Sequence, residues 1–259
     1  MKKLYLGLAL LLLGGCTGGL RIDDSYRSVS QSSRVQYVVL HYTSTGLESS
    51  LRLLTRDGVS SHYLIGDQPA TIYRLVDENR RAWHAGESEW QGRTWLNAST
   101  LGIELVNDGY RDTPAGRVYQ PFSDEQIDAL IPLLQDIVKR HHLPLGSIIG
   151  HSDIAPQRKV DPGPLFPWKR LADAGLVPWP DAAAVARAQA RFAVALPTVG
   201  WFQEQLARQG YTTPRTGVLD KETRNVIAAF QMKYRQRLYD GEPDAETAAL
   251  LLVLNGMPR

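Results

Sequence analysis

The chain has 259 residues, and its 29 lysines and arginines against 27 aspartates and glutamates leave a formal charge of only +2. A balance this close provides no nucleic-acid footprint and no polybasic membrane patch. The length leaves room for one domain of about 150 residues plus a smaller one, each able to bury a core.

In chain order, Lys2 and Lys3 precede an apolar run from Leu4 to Leu13, and Leu13-Gly-Gly-Cys16 resembles a bacterial lipoprotein cleavage box. Residues 1–15 are therefore expected to be a signal peptide, since the run falls short of the ~20 residues a bilayer crossing requires. Cys16, the only cysteine, is the expected lipidation site, and several acyl chains on it would anchor the chain stably. Thr17 in place of an aspartate suggests the periplasmic side of the outer membrane. Residues 16–34, rich in Ser, Arg and Asp, read as a flexible tether.

Residues 35–177 are expected to form the first domain. Strands are predicted at Val35 to His41, Ser61 to Ile65, Thr71 to Val76, Leu101 to Val106 and Ser147 to His151, with helices at Glu48 to Arg56 and Ser123 to Arg140. This interleaving is an α/β pattern, a mixed central sheet flanked by helices. Ser123 and Gln126 form a capping box, and Pro132 within the second helix implies a kink or a lost hydrogen bond.

Two imidazoles, His41 and His151, and the carboxylate of Asp161 suit one catalytic zinc ion. A hydrolytic zinc site keeps three protein ligands and leaves the fourth corner for water. Taken singly, His41 reads as a structural histidine, Lys159 as a solvated loop charge and Asp161 before Pro162 as a turn residue. Their company supports the metal. Glu104, a lone carboxylate in the apolar run Leu101 to Val106, is the candidate general base, because desolvation raises its pKa toward the working range. Lys159 is placed to face a developing oxyanion.

Tyr42 and Thr43, directly after His41, are candidate substrate contacts. His62 either faces the site or packs against the opposite layer. Trp83, ahead of His84-Ala-Gly86, either lines a groove or fills core. His141 and His142 read as cations complementing a helix terminus, outside the site.

The blocks His41-Tyr-Thr, Ser61-His-Tyr, Trp83-His-Ala-Gly, Gly102-Ile-Glu-Leu-Val-Asn107, Gly150-His-Ser-Asp and Pro156-Gln-Arg-Lys-Val-Asp-Pro-Gly-Pro-Leu-Phe-Pro-Trp168 together resemble the type 2 family of zinc-dependent N-acetylmuramoyl-L-alanine amidases. The resemblance implies one zinc per chain on His41, His151 and Asp161, with Glu104 as acid/base and Lys159 as the catalytic lysine. It favours Trp83 as groove wall. It implies cleavage of the amide between N-acetylmuramic acid and L-alanine, with peptidoglycan or muropeptides as partners; a monomer is expected, though nothing in the sequence fixes the oligomeric state. The competing reading is a peptidoglycan-recognition lipoprotein that binds without cutting. Such binders have typically lost a zinc ligand, and this chain keeps all three.

Residues 178–196 read as a linker helix, and residues 197–259 as three helices at Val199 to Gln209, Asp220 to Tyr234 and Asp244 to Leu254. Asp220-Lys-Glu-Thr223 and Asp244-Ala-Glu-Thr247 are an internal echo of N-terminal caps. With Gly217-Val-Leu-Asp and Phe230-Gln231, they resemble a small three-helix peptidoglycan-binding module; the alternative is a stabilising cap. If the module only recognises wall at a distance, a chain ending near Pro180 folds alone.

Overall fold

The structure, a computed structural model, describes residue 20 and residues 22–257. The expected signal peptide, Cys16 and Thr17 lie outside the described residues. Residues 22–32 carry neither helix nor strand. No helix among the described residues is long and apolar enough to cross a membrane.

From Ser33 onward the chain forms one unit. In order it comprises β1 (Tyr37–Tyr42), α1 (Leu47–Arg56), β2 (Tyr63–Ile65), β3 (Ile72–Arg74), the short hairpin β4 (Glu89–Trp90) and β5 (Arg93–Thr94), β6 (Thr100–Leu105), and a second hairpin, β7 (Tyr110–Thr113) and β8 (Gly116–Tyr119). Then follow α2 (Asp124–His141), β9 (Ile148–Gly150), α3 (His151–Ile154), α4 (Trp168–Asp173), α5 (Ala182–Val194), α6 (Val199–Gln209), α7 (Lys221–Tyr234) and α8 (Ala245–Asn255). The central sheet runs β3-β2-β6-β1-β9; β2, β6, β1 and β9 are parallel, and β3 is an antiparallel edge. Neither two-residue hairpin strand nor the pair β7–β8 was expected from the sequence. Their residues mix polar and apolar types over two to four positions, too few to show a period.

The sheet has two buried faces, set by the alternation of side chains along each strand. One face, with Val38, Leu40, Leu101, Ile103, Leu105 and Ile148, packs on Ile127, Leu130, Leu134 and Ile137 of α2. The capping box of α2 is present: the Gln126 N–H donates to Ser123 Oγ and the Ser123 N–H to Gln126 Oε1. The helix runs on through Pro132, which has no N–H to offer the carbonyl four residues back.

On the other face, Leu64 of β2 packs with Leu54 of α1. Val39 and Ile149 instead share a core with Phe202, Leu206, Val226, Ile227 and Phe230 of the C-terminal helices. Those helices are therefore the second layer of the sheet, not a detached unit. Burying a Val or Ile contributes roughly 1.5–3 kcal/mol. Exposing Val39, Ile149 and Ile154 together would consume much of the ~5–15 kcal/mol that holds a domain folded. A chain cut near Pro180 is thus not expected to stand alone, which corrects the inference drawn from a distant wall-binding module.

Within the helices, the internal echo extends beyond the caps. Thr223 N–H donates to Asp220 Oδ1, and Thr247 N–H to Asp244 Oδ1, both at 2.7 Å. Buried Gln203 accepts from Gly217 N–H and donates to Thr223 Oγ1; buried Gln231 repeats this with Gly241 N–H and Thr247 Oγ1. Each glutamine satisfies a turn's backbone that would otherwise be orphaned in the core.

Candidate active site

The register of β1 on β6 sets His41 opposite Glu104. Alternation places His41 on the face of Val39 and Glu104 on the face of Gly102, at the carboxyl ends of parallel strands, where open α/β sheets form their clefts. His151 was expected to end a strand. The strand stops at Gly150 and His151 opens α3, because the Gly150 N–H donates to Asp153 Oδ2 at 2.8 Å and turns the chain. The Ser152 N–H donates to the Asp161 carbonyl at 2.8 Å, bringing the later loop back beside His151.

Three ligand atoms converge. His41 Nδ1 and His151 Nδ1 are 2.9 Å apart, and Asp161 Oδ2 is 3.1 Å from the first and 3.0 Å from the second. All three residues are buried. Burial, with His151 beside it, pushes the His41 imidazole down to about 4 against the pull of Asp161. Burial works to raise the Asp161 carboxyl, but the two imidazoles overcome it and hold it well below the usual carboxylate range.

The tautomers follow from the partners. Thr100 Oγ1 donates to the Leu96 carbonyl at 2.8 Å, so it accepts from His84 Nε2 at 3.1 Å. His84 Nδ1 is then a lone pair and accepts from His41 Nε2 at 3.0 Å. On the other side, His151 Nε2 donates to the Ala85 carbonyl at 3.2 Å. Both Nδ1 atoms therefore present lone pairs to the same point, which repels unless a cation lies between them. Tetrahedral zinc with ligands at ~2.0–2.1 Å sets its ligand atoms roughly 3.3 Å apart, so this cluster fits the ion within a few tenths of an ångström. Two neutral imidazoles and a carboxylate are also the donor set zinc takes.

Glu104 stands beside this cluster. Its Oε2 is buried and has no hydrogen-bond partner among the described residues. Burial, reinforced by Asp161 and opposed by Lys159, pushes the carboxyl up to about 8. The cleft around it, about 230 Å³, is lined by His41, Tyr42, Thr43, Trp83, Glu104, His151, Lys159 and Asp161, with Leu53, Leu54 and Val59 as an apolar wall. Every site residue expected from the sequence within the described region thus lines one cleft.

The sequence profile of the N-acetylmuramoyl-L-alanine amidase family matches residues 31–164. The chain belongs to this amidase family. A second profile, for a peptidoglycan binding domain, matches residues 196–251. The amidase is 43% identical to the N-acetylmuramoyl-L-alanine amidase AmiD of Escherichia coli K12, over 95% of this chain and 94% of the relative. Among solved structures it is similar to E. coli AmiD in complex with the substrate anhydro-N-acetylmuramic acid-L-Ala-D-gamma-Glu-L-Lys, at 41% identity and TM-score 0.82, covering 92% of this chain and 95% of that one. AmpDh3 of Pseudomonas aeruginosa in complex with anhydromuramic pentapeptide aligns at 39% identity and TM-score 0.85, covering 92% and 98%.

Beyond the expected site residues, His84, which the sequence leaves undecided, stands behind the cluster with its Nδ1 3.0 Å from His41 Nε2. The available signal was Gly102 inside a predicted strand, since strand glycines often mark a close approach. A Cβ there would lie 2.5 Å from His84 Cγ. Asn97 Oδ1 holds the neighbouring loop by accepting from the His84 and Ala85 N–H groups at 3.0 and 2.8 Å.

The open alternatives resolve. His62 belongs to the scaffold: its Nδ1 accepts from the Gly102 N–H at 3.0 Å and its Nε2 lies 3.1 Å from the Arg80 carbonyl. Trp83 is a half-exposed cleft wall with the Arg81 guanidinium stacked 4.1 Å from its ring centre. Tyr42 is half-buried against Gly109, where an added Cβ would lie 2.7 Å from its ring. Thr43 spends its hydroxyl on the Thr45 carbonyl at 2.7 Å. His141 sits in the last turn of α2, outside the cleft, with Glu78 Oε2 and Ser33 Oγ 2.8 and 2.7 Å from its ring nitrogens.

Proposed function

We propose that the chain hydrolyses the amide joining the lactyl group of N-acetylmuramic acid to L-alanine, in peptidoglycan and in muropeptides, with one zinc ion per chain on His41 Nδ1, His151 Nδ1 and Asp161 Oδ2. The convergence of two imidazole lone pairs and one carboxylate oxygen beside an unpartnered carboxyl oxygen carries this reading. Similarity to amidases recorded with anhydromuropeptides supports the substrate class. When bound, zinc lowers the pKa of water and polarises a carbonyl.

The chain's own residues supply the rest. Glu104 Oε2, buried and without a hydrogen-bond partner among the described residues, accepts a proton from the attacking water, and the same carboxyl later donates it to the departing alanine nitrogen. The Lys159 ammonium, at the cleft wall, offsets the negative charge that develops on the scissile carbonyl oxygen. Tyr42, Thr43 and Trp83 frame the substrate. The retention of all three ligands favours catalysis over recognition without cutting.

The roles separate by mutation. Glu104→Gln should keep its zinc while turnover falls by roughly 10²–10⁴. His151→Ala or Asp161→Ala should lose zinc and activity together. Loss of zinc from Glu104→Gln would make Glu104 a ligand and overturn the assignment.

The amino terminus supports lipid anchorage through Cys16 on the periplasmic side of the outer membrane. Metabolic palmitate labelling of the parent, absent from Cys16→Ala, checks it; equal labelling of both contradicts it.

A further inference from the structure

Lysine is almost never fully buried unless paired, yet Lys233 of α7 is only 5% exposed. Its Nζ lies 3.0 Å from Asp153 Oδ2, 3.5 Å from the Ile148 carbonyl and 4.2 Å from the centre of the Trp168 ring. One side chain of the C-terminal helices thus reaches β9, α3 and α4.

Asp153 is 1% exposed and held from both sides of this boundary. Its Oδ1 accepts from the Tyr211 hydroxyl at 2.6 Å, and its Oδ2 accepts from Lys233 and from the Gly150 N–H at 2.8 Å. The Gly150 bond is the one that turns β9 into α3 and presents His151. A buried ion pair is a poor source of stability, since apolar residues of similar volume often serve as well.

We propose that the C-terminal helices are a positioning element of the metal-ligand cluster: Lys233 and Tyr211 fix Asp153, Asp153 fixes the Gly150–His151 turn, and the turn aims His151 Nδ1 at His41 and Asp161. The inference rests on reading that cluster as a metal site. Lys233 touches no ligand and acts only through Asp153, so it is a positioning residue. The role belongs to the helices whether or not they also contact wall.

The test uses the full chain, freed of metal and titrated with Zn²⁺ and with Co²⁺ against a chromophoric chelator. The parent binds one ion and His151→Ala binds none; a parent that binds none overturns the metal reading, and this inference with it. Lys233→Met keeps the stem but strands a buried carboxylate, so Zn²⁺ affinity should fall roughly ten- to hundred-fold, with an altered Co²⁺ visible spectrum. Asp153→Asn added to Lys233→Met removes the stranded charge and keeps an oxygen for Gly150, so most of the affinity should return. Tyr211→Phe keeps the ring beside Trp90, should fold, and should lose affinity several-fold. Parent-like Zn²⁺ binding by Lys233→Met and Tyr211→Phe, or a double variant no better than Lys233→Met, would reduce the contact to packing and overturn the proposal.

Discussion

Glu104 is held in a place where its charged form is unwelcome, and that discomfort is what makes it a base. Its folded-state value of about 8 lies above the ordinary 4.5. The folded chain therefore holds a proton that the unfolded chain has released across that interval. The resulting destabilisation is absent below the unfolded value, grows through the interval and is complete above the folded value. In metal-free protein, Glu104→Gln should raise the urea midpoint relative to the parent at about pH 9 and leave it near the parent's at about pH 4. A difference that does not change with pH would contradict burial as the cause. Glu104 was legible in the sequence as a lone carboxyl in an apolar run, and so were His41, His151, Asp161 and Lys159 through their joint pattern. His84 was legible only as a member of the Trp83-His-Ala-Gly block; its place behind His41 was not, because that depends on the close approach to a neighbouring strand at Gly102.

At the scale of elements, the loop carrying His84 and the strand β6 must approach closely enough to share a ring's thickness. Gly102→Ala would drive a methyl group against His84 Cγ, where the available separation is 2.5 Å. The displaced ring would no longer accept from His41 Nε2, so metal affinity should fall roughly ten- to hundred-fold while the strand itself survives. His84→Asn, whose amide oxygen replaces Nδ1 as acceptor, should retain more affinity than His84→Ala, measured by competition with a chelator. Equal affinities in the two variants would remove the tautomer argument. Strands and helices with a clear period were legible: α2 with its capping box starts one residue from its expected position, and α6 at the expected one. The hairpins were not, and neither was the break between Gly150 and His151, because a side chain to backbone bond decides it rather than hydrophobic pattern.

For the whole molecule, sequence composition suggested two domains in series, while packing shows a sheet whose second face is covered by the later helices. No local pattern reports which distant segment covers a strand; alternation in Val38 and Val39 shows only that both faces are buried. A chain ending near Pro180 should accordingly be insoluble or lose cooperative thermal unfolding, whereas two independent domains would leave it soluble with its own transition. Cutting of the sugar–peptide amide by this cleft, with a metal on His41, His151 and Asp161, makes the product and its metal dependence observable together. Mass spectrometry of an anhydromuropeptide incubated with the full chain, before and after chelation and again after added zinc, tests it most directly. Free stem peptide with a new L-alanine amine should form, disappear on chelation and return with zinc; intact muropeptide throughout, or cleavage indifferent to the chelator, would overturn the metal-dependent amidase.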